Sequence, residues 1–456
     1  MIFPALLAGF LIVSCKKDKD SAEKFSTQTV EQNKALVEES GIDFVDAMKR
    51  MESLETADVL VNFGDIFSSA SSKGSIFTGD SKLFSTFDAV LAATRGKGSL
   101  NNVFDAMISP EELGAEAPES IETFWNESVG TYTWNSVNNC WDENPGGAVI
   151  KFLFPSTETS LTNDASFTIS EYTGVTISNP LDEEYTGDLP ASLNAELKVG
   201  TETLITYVFG ASYNNDGVPN AVASDLTIET FKFEIDLTNT SQVVSVNYKF
   251  LENNITIMDL GAEGTGLFTE ANVDNHTTTH TETNYYSEWV FNQNTQQYEE
   301  VLVPYTNEWK ETEFEEVINS VNAHFQLFNV AIKGELDIKG MVDQFNLIDE
   351  ELENEDIDGE EADTKYTEQI NKFLNLRLVN VTNNEILAKA QAYVAHESDY
   401  YGEYSYVDFR LTFGDGSPIA METYFDQGFD DFVSEVNSLI NDINSDYDTG
   451  MDPLEY

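Results

Sequence analysis

Alternation of apolar and polar side chains with a period of two runs through the chain from about residue 122 onward, and it constrains the fold more than any other feature. In residues 231–237, four apolar side chains alternate with three charged ones, and in residues 244–250 four apolar side chains alternate with three polar ones. The Thr-Asn-Thr-Ser segment between them is typical of a hairpin turn. Strands with one apolar and one polar face predict an antiparallel sheet, because parallel sheets are buried on both faces.

Helical periodicity marks both ends of the chain. Apolar residues at three- and four-residue spacing predict a helical layer over residues 26–117, with Gly41 expected to end its first helix. A similar stripe over residues 429–443 predicts a C-terminal helix that packs on the sheet. We therefore expect the α+β class, with a large curved antiparallel sheet over residues 118–345 and, together with the C-terminal helix, residues 371–456.

Three pairs of segments recur in the same order, which predicts that the sheet consists of two duplicated halves. Residues 193–199 resemble 374–381, the hairpin 231–250 resembles 409–425, and segment 132–143 resembles 289–300. An acidic insertion at residues 346–370 interrupts the second half, and we expect it to be a solvated loop.

The N-terminus resembles the signal peptide of bacterial lipoproteins. An uncharged apolar run, too short to span a bilayer as a helix, ends in Ile-Val-Ser-Cys at residues 12–15. This segment resembles the lipobox, which implies a signal peptide over residues 1–15, acylation of Cys15, and a tether over residues 16–25. Lys16 replaces the aspartate that retains lipoproteins of this class at the inner membrane, so the resemblance implies the outer membrane or cell surface.

The predicted order of elements resembles that of periplasmic lipoprotein carriers and related lipoproteins. Those proteins have a strongly curved antiparallel sheet, a half-barrel, that is capped by helices. No motif carries this resemblance; it rests on element order. It implies a concave sheet face that holds an apolar ligand.

The net charge of the chain limits the classes of partner that it can bind. The chain has 23 basic and 81 acidic residues, a net charge of -58, which argues against binding to nucleic acids. Adsorption to anionic lipid is disfavoured for the same reason, so we expect membrane contact only through the lipid anchor. Self-repulsion on this scale favours weak binding of divalent cations.

Residues 354–359 resemble half of an EF-hand loop, but Lys365 stands where the bidentate glutamate belongs, so no dedicated calcium site is predicted.

Aromatic residues are the candidate ligand-binding residues. Trp134 and Trp141 in one predicted hairpin, and Trp289 and Tyr298 in another, are placed to form flat platforms for sugar rings. The same cross-strand pairs also stabilise a sheet without any ligand.

Signals for catalysis and metal binding are weak. His276 and His280 have the spacing of a helical metal site, but three intervening threonines favour a strand, where the two lie about 13 Å apart. No HExxH, GxSxG or GxGxxG motif occurs. We expect no catalytic residue, metal site or cofactor, and a buried thiol at Cys140, the only other cysteine.

Three classes of function follow from these features. The first is a non-catalytic lipoprotein that holds an apolar ligand or a protein partner on its curved sheet. The alternative is a glycan-binding surface lipoprotein that uses exposed aromatic side chains. A hydrolase built from scattered carboxylates is the third.

Overall fold

A large sheet with helices on it accounts for the described part of the chain. The computed structural model describes residues 24–69, 121–178, 188–292, 297–399, 402–426 and 428–447. Cys15 and the predicted helical layer beyond residue 69 lie outside these ranges, so the structure does not bear on them.

The described part of the chain contains nineteen strands. They are β1 Lys24–Phe25, β2 Gly130–Asn135, β3 Cys140–Pro145, β4 Ile150–Phe154, β5 Ala165–Thr176, β6 Asp188–Val199, β7 Glu202–Tyr213, β8 Pro219–Ile228, β9 Phe231–Asn239, β10 Val243–Glu252, β11 Ile255–Gly266, β12 Thr277–Asn292, β13 Gln297–Thr312, β14 Ile318–Leu327, β15 Val330–Asp337, β16 Arg377–Asn380, β17 Glu385–Asp399, β18 Gly402–Thr412 and β19 Pro418–Ala420.

Nine helices accompany them in the described ranges. They are α1 Val30–Glu52, α2 Glu55–Ser69, α3 Ile121–Ser128, α4 Glu270–Asn275, α5 Phe314–Val317, α6 Ile338–Glu353, α7 Gly359–Phe373, α8 Met421–Asp426 and α9 Asp430–Tyr447.

The main sheet is a mostly antiparallel meander. Strands β4 to β11 pair in sequence order, β11 then pairs with β14, and β14 to β19 continue the series. Among the described strands, only β2 with β4, and β1 with β17, pair in parallel. In the described part of the chain, β1, β3 and β19 each pair with one neighbour only, so the sheet is open. The predicted α+β class with a large antiparallel sheet is confirmed.

Helices cover one face of this sheet. Phe231, Phe250 and Ile257 are almost fully buried beneath Phe44 and Met48 of α1. A second core cluster joins α2 to β2 and β4, and a third joins β15 to β18 with α8 and the start of α1. The apolar face of the alternating strands is therefore the face on which the helices lie.

Gly41 does not end a helix, because α1 runs through it. An added Cβ at Gly41 would lie 2.7 Å from Cδ2 of Phe432 in α9. The glycine is required by the close packing of two helices, which no local sequence pattern reveals.

The acidic insertion is not a solvated loop, because most of it forms the antiparallel helices α6 and α7. Asp337 and Asp358 cap the two helices by accepting hydrogen bonds from backbone N–H groups. Phe345 packs edge-to-face on Tyr366, with ring centroids 5.0 Å apart. Acidic residues at helix starts and one aromatic contact therefore stabilise this segment.

Two further expectations need correction. Residues 419–425 were expected to form a strand, but β19 ends at Ala420 and α8 follows, so this segment does not copy the β9–β10 hairpin. Lys24 and Phe25, the last two residues of the predicted tether, pair with β17 and so belong to the main sheet. The duplication itself stays a prediction.

Burial of Tyr132 makes stability sensitive to high pH. Its side chain is 2% exposed, its hydroxyl donates to the Ser128 carbonyl at 2.8 Å, and burial raises the pKa of Tyr132 to about 12. The neutral form is favoured in the folded state, so this stabilisation is complete below the unfolded pKa of about 10 and is lost as pH rises through about 12. We expect Tyr132→Phe to reduce the loss of unfolding free energy between pH 8 and 11.5 by about 2 kcal/mol.

Urea unfolding of both proteins across this pH range measures the effect. Tyr285, which is 62% exposed, supplies the control, because Tyr285→Phe should follow the wild-type pH dependence. Parallel curves for the wild-type protein and Tyr132→Phe would contradict the assignment.

Candidate binding surfaces

Trp134 and Trp141 lie in the core region rather than on an exposed platform. They face each other across β2 and β3, with ring centroids 5.4 Å apart and an interplanar angle of 63°. Trp134 is 8% exposed, and Phe63 of α2 and Phe152 of β4 pack around the pair. Edge-to-face rings against a helix offer no flat surface to a sugar, so these two residues stabilise the sheet.

Trp289 and Tyr298 lie in a different environment. Strands β12 and β13 form a two-stranded sheet of their own, inserted between β11 and β14. We call this element the aromatic hairpin. Each strand has 16 residues, so the hairpin is about 50 Å long.

Short helices and backbone hydrogen bonds form the neck of the aromatic hairpin. Leu267 N–H donates to the Val317 carbonyl at 2.9 Å, and Phe268 N–H donates to the Ser241 carbonyl at 2.9 Å. The Asn272 amide donates to the carbonyls of Leu267 and Glu316. The neck thus ties both hairpin strands to the main sheet, which fixes where the hairpin leaves it.

One face of the aromatic hairpin carries an exposed apolar strip. Its members are Tyr285, Trp289, Tyr298 and Leu302, which are 62%, 64%, 66% and 63% exposed. All four lie on the same face of the hairpin. Tyr285 and Trp289 are four residues apart on β12, and every second residue of a strand points to the same face. Leu302 and Tyr298 pair with residues 287 and 291, which lie on that face too. We call these four residues the hairpin strip.

The opposite face of the aromatic hairpin is also partly apolar. Tyr286 is 50% exposed and lies 6.1 Å from Tyr305, measured between ring centroids. Nearer the neck, Trp309 stacks on the His280 ring at 5.4 Å. Large apolar side chains are therefore exposed on both faces of this one element.

Comparison with protein-family models, curated proteins and solved structures gives no match to this chain.

Sequence reasoning found the aromatic members of this surface but missed its aliphatic members. Val301 and Leu302 are 43% and 63% exposed and lie on opposite faces of β13. The signal was the continuous apolar run from Val301 to Tyr305, in which both faces of a strand are apolar. Such a run ordinarily predicts a fully buried strand.

The charge of the aromatic hairpin is strongly acidic. Its two strands contain six glutamates and one lysine. On the same face as the hairpin strip, Ser287 donates a hydrogen bond of 2.6 Å to Glu300, which lies opposite Trp289. The exposed rings therefore lie among carboxylates.

A second apolar surface lies on the main sheet, where helix coverage ends. Along β10, Phe250 is 2% exposed, but Tyr248 and Val244 on the same face are 40% and 38% exposed. Ile235 lies opposite Tyr248 on β9 and is 37% exposed. We call Ile235, Val244 and Tyr248 the open apolar face.

The two histidines at the spacing of a helical metal site pair with separate carboxylates. His276 Nδ1 lies 3.2 Å from Glu313, and His280 Nε2 lies 2.8 Å from Glu311. Among the described residues, no group of three or more histidine, cysteine or acidic side chains could hold a metal ion. Cys140, at the start of β3, is half-buried. None of the described helices is long and apolar enough to cross a membrane.

Proposed function

We propose that this chain is a lipid-anchored, non-catalytic binding protein of the outer membrane or cell surface, and that its aromatic hairpin binds a protein partner. The hairpin strip carries the proposal, because its four side chains are each more than 60% exposed on one face of a projecting element. Aromatic side chains that bury their area in a partner supply much of the energy of protein interfaces.

Two observations favour a protein partner over a sugar. Leu302 and Pro304 lie beside the rings on the strip face, and aliphatic side chains suit a protein surface better than a hydroxylated one. The six glutamates of the hairpin favour a partner whose apolar patch has a basic rim. They also disfavour a second copy of this chain, which would bring two acidic hairpins together.

Site-specific photocrosslinking in intact producing cells tests the proposal. A benzophenone side chain at Tyr285 should give a discrete protein adduct, and Trp289→Ala should lower its yield about tenfold, the effect of losing one central aromatic contact. Thr281 is the matched control, because it lies on the same strand and face near the neck. Equal adducts from both positions, or no effect of Trp289→Ala, would reject the hairpin as the binding surface.

Glycan binding is the second candidate function. Trp289 and Tyr298 are diagonal neighbours on one face and both are exposed, which is the arrangement that stacking on sugar rings requires. In the same experiment, a protease-resistant carbohydrate adduct at Tyr285 would favour this alternative.

An apolar ligand on the curved sheet is also proposed, and the open apolar face supports it. Ile235 and Tyr248 are cross-strand partners that remain more than one-third exposed beside a buried core. A ligand there would bury these apolar side chains next to Phe250, which lies at the end of the part of the sheet that α1 covers.

A further inference from the structure

Basic residues are scarce in this chain, yet four side chains that carry or can accept positive charge form one row across the main sheet. His324 pairs with Lys333, Lys333 with Arg377, and Arg377 with Lys389, on the consecutive strands β14 to β17. Residues paired in this way point to the same side of a sheet, and neighbouring strands lie about 4.8 Å apart. The row therefore spans about 14 Å. We call these four residues the basic row.

The basic row lies on the polar face of the sheet, opposite the helices. Its neighbours along the strands, such as Phe325 and Ile332, point to the apolar face, where Ile332 packs into the core. Gly261 lies beneath one end of the row, since an added Cβ there would be 2.3 Å from His324 Cε1 and 2.6 Å from Asn247 Oδ1. An imidazole, an amide and three cationic groups thus border one strip of the surface.

Carboxylates neutralise only part of the basic row. His324 Nε2 lies 2.9 Å from Asp259, and Arg377 forms an ion pair with Glu335. Lys333 has no ion pair with an acid in the part of the chain that the structure describes. Burial lowers the pKa of Lys389, and the nearby Arg377 guanidinium lowers it further.

Several other lysines in the described ranges form ion pairs. Lys24, Lys49, Lys339 and Lys365 each form an ion pair with a glutamate. Lys333 differs from these lysines in its position, because it lies between His324 and Arg377 in a row of groups that carry or can accept positive charge.

We propose that the basic row binds a linear ligand with two or more oxyanion groups about 5 Å apart, the separation of neighbouring strands. Lysine and arginine recognise carboxylate, sulfate and phosphate oxygens through charge-assisted hydrogen bonds. The ligand lies across the strands, with one oxyanion between Lys333 and Arg377 and the next toward Lys389. The acidic body of the protein repels anions elsewhere, so binding of an anion reports on this row.

Calorimetric titration of the full-length protein in detergent tests the proposal, with tripolyphosphate and galacturonate trimer as probes and neutral galactose trimer as the control ligand. We expect at least one anionic probe to bind and Lys333→Gln to weaken its binding about tenfold, the effect of losing one charge-assisted hydrogen bond. Lys333→Arg should retain binding, because it keeps the charge. Lys49→Gln is the matched control, since Lys49 pairs with Glu435 on the helices of the other face.

Each outcome has a meaning. Binding of tripolyphosphate alone identifies a phosphate ligand, and binding of the galacturonate trimer alone identifies an acidic glycan; either supports the row. Binding of neither anion, or equal weakening by Lys49→Gln, would overturn it. Lys333→Gln should keep the melting temperature of the wild-type protein, because it removes one of several like charges. If its melting temperature falls, Lys389→Gln takes its place in the binding test. The hairpin variant Trp289→Ala should bind the anion normally, which separates this site from the proposed function.

Discussion

Replacing Cys15 with alanine should release the protein from the membrane fraction and abolish its labelling by palmitate. An acyl chain contributes about 0.8 kcal/mol per buried CH₂, and stable anchoring takes more than one chain. Without the acylated cysteine, the net charge of -58 repels the protein from anionic lipid. The whole attachment is therefore expected to depend on this one side chain, and fractionation of cells with palmitate labelling measures it.

The matched control is Cys140→Ala, because Cys140 is the only other cysteine. It lies at the start of β3, paired with Asn135, and its loss should leave both membrane attachment and labelling unchanged. If Cys15→Ala stays membrane-bound, the lipoprotein interpretation of the N-terminus is wrong. If Cys140→Ala loses the palmitate label and Cys15→Ala keeps it, the acylated residue is Cys140 and not Cys15.

The strands were predicted most reliably, because the alternation of apolar and polar residues depends only on the geometry of a single strand. The hairpin of β9 and β10 occurs where the pattern places it, with Ile235 opposite Tyr248. A strand points successive side chains to opposite faces whatever packs on them, so the local sequence suffices. The sheet's class and its antiparallel pairing follow from the same rule.

Errors arose where a distant segment decides the local structure. Gly41 has the appearance of a helix end, but it is a contact point with Phe432, which lies almost four hundred residues further along the chain. The acidic segment 346–370 has the composition of a loop, but caps at Asp337 and Asp358 and the contact of Phe345 with Tyr366 make it helical. Neither contact leaves a periodic signal in the sequence.

The two aromatic pairs show the same limit for the candidate site. Trp134–Trp141 and Trp289–Tyr298 have similar spacing around similar turns, yet Trp134 is 8% exposed and Trp289 is 64% exposed. The difference is that Phe63 of α2 packs against the first pair, whereas the second projects on a separate hairpin. Pairing can be predicted from the sequence, but what covers a pair depends on the tertiary fold.

The basic row was not predicted, because its members are far apart in the sequence. Lys333 and Arg377 are separated by α6 and α7, and they become neighbours only because β15 pairs with β16. Each lysine or arginine alone has the appearance of a solvated charge within an alternating strand. The register of four strands is needed before the charges line up.

Substituting Gly266 with alanine should destabilise the protein by about 3 kcal/mol and disturb the aromatic hairpin at its neck. An added Cβ at Gly266 would lie 2.1 Å from the carbonyl oxygen of Val317 and 3.0 Å from Cα of Ile318. Both contacts are with backbone atoms, which cannot rotate away as a side chain can. The backbone must shift instead, and an overpacked site typically costs 1–3 kcal/mol, occasionally more. Urea unfolding measures the loss of stability.

Gly264→Ala is the control for this effect, because Gly264 lies two residues earlier on the same strand and face. Its nearest neighbour to an added Cβ is Cζ of Phe268 at 3.7 Å, an ordinary contact, so stability should stay the same or rise slightly. Since Leu267 N–H bonds the same Val317 carbonyl, the shift caused by Gly266→Ala should also displace the base of the hairpin. The photocrosslink from position 285 should then fall in Gly266→Ala and persist in Gly264→Ala. Equal stability of the two variants would show that the neck yields without cost, and the hairpin would then be a hinged element rather than a rigidly placed one.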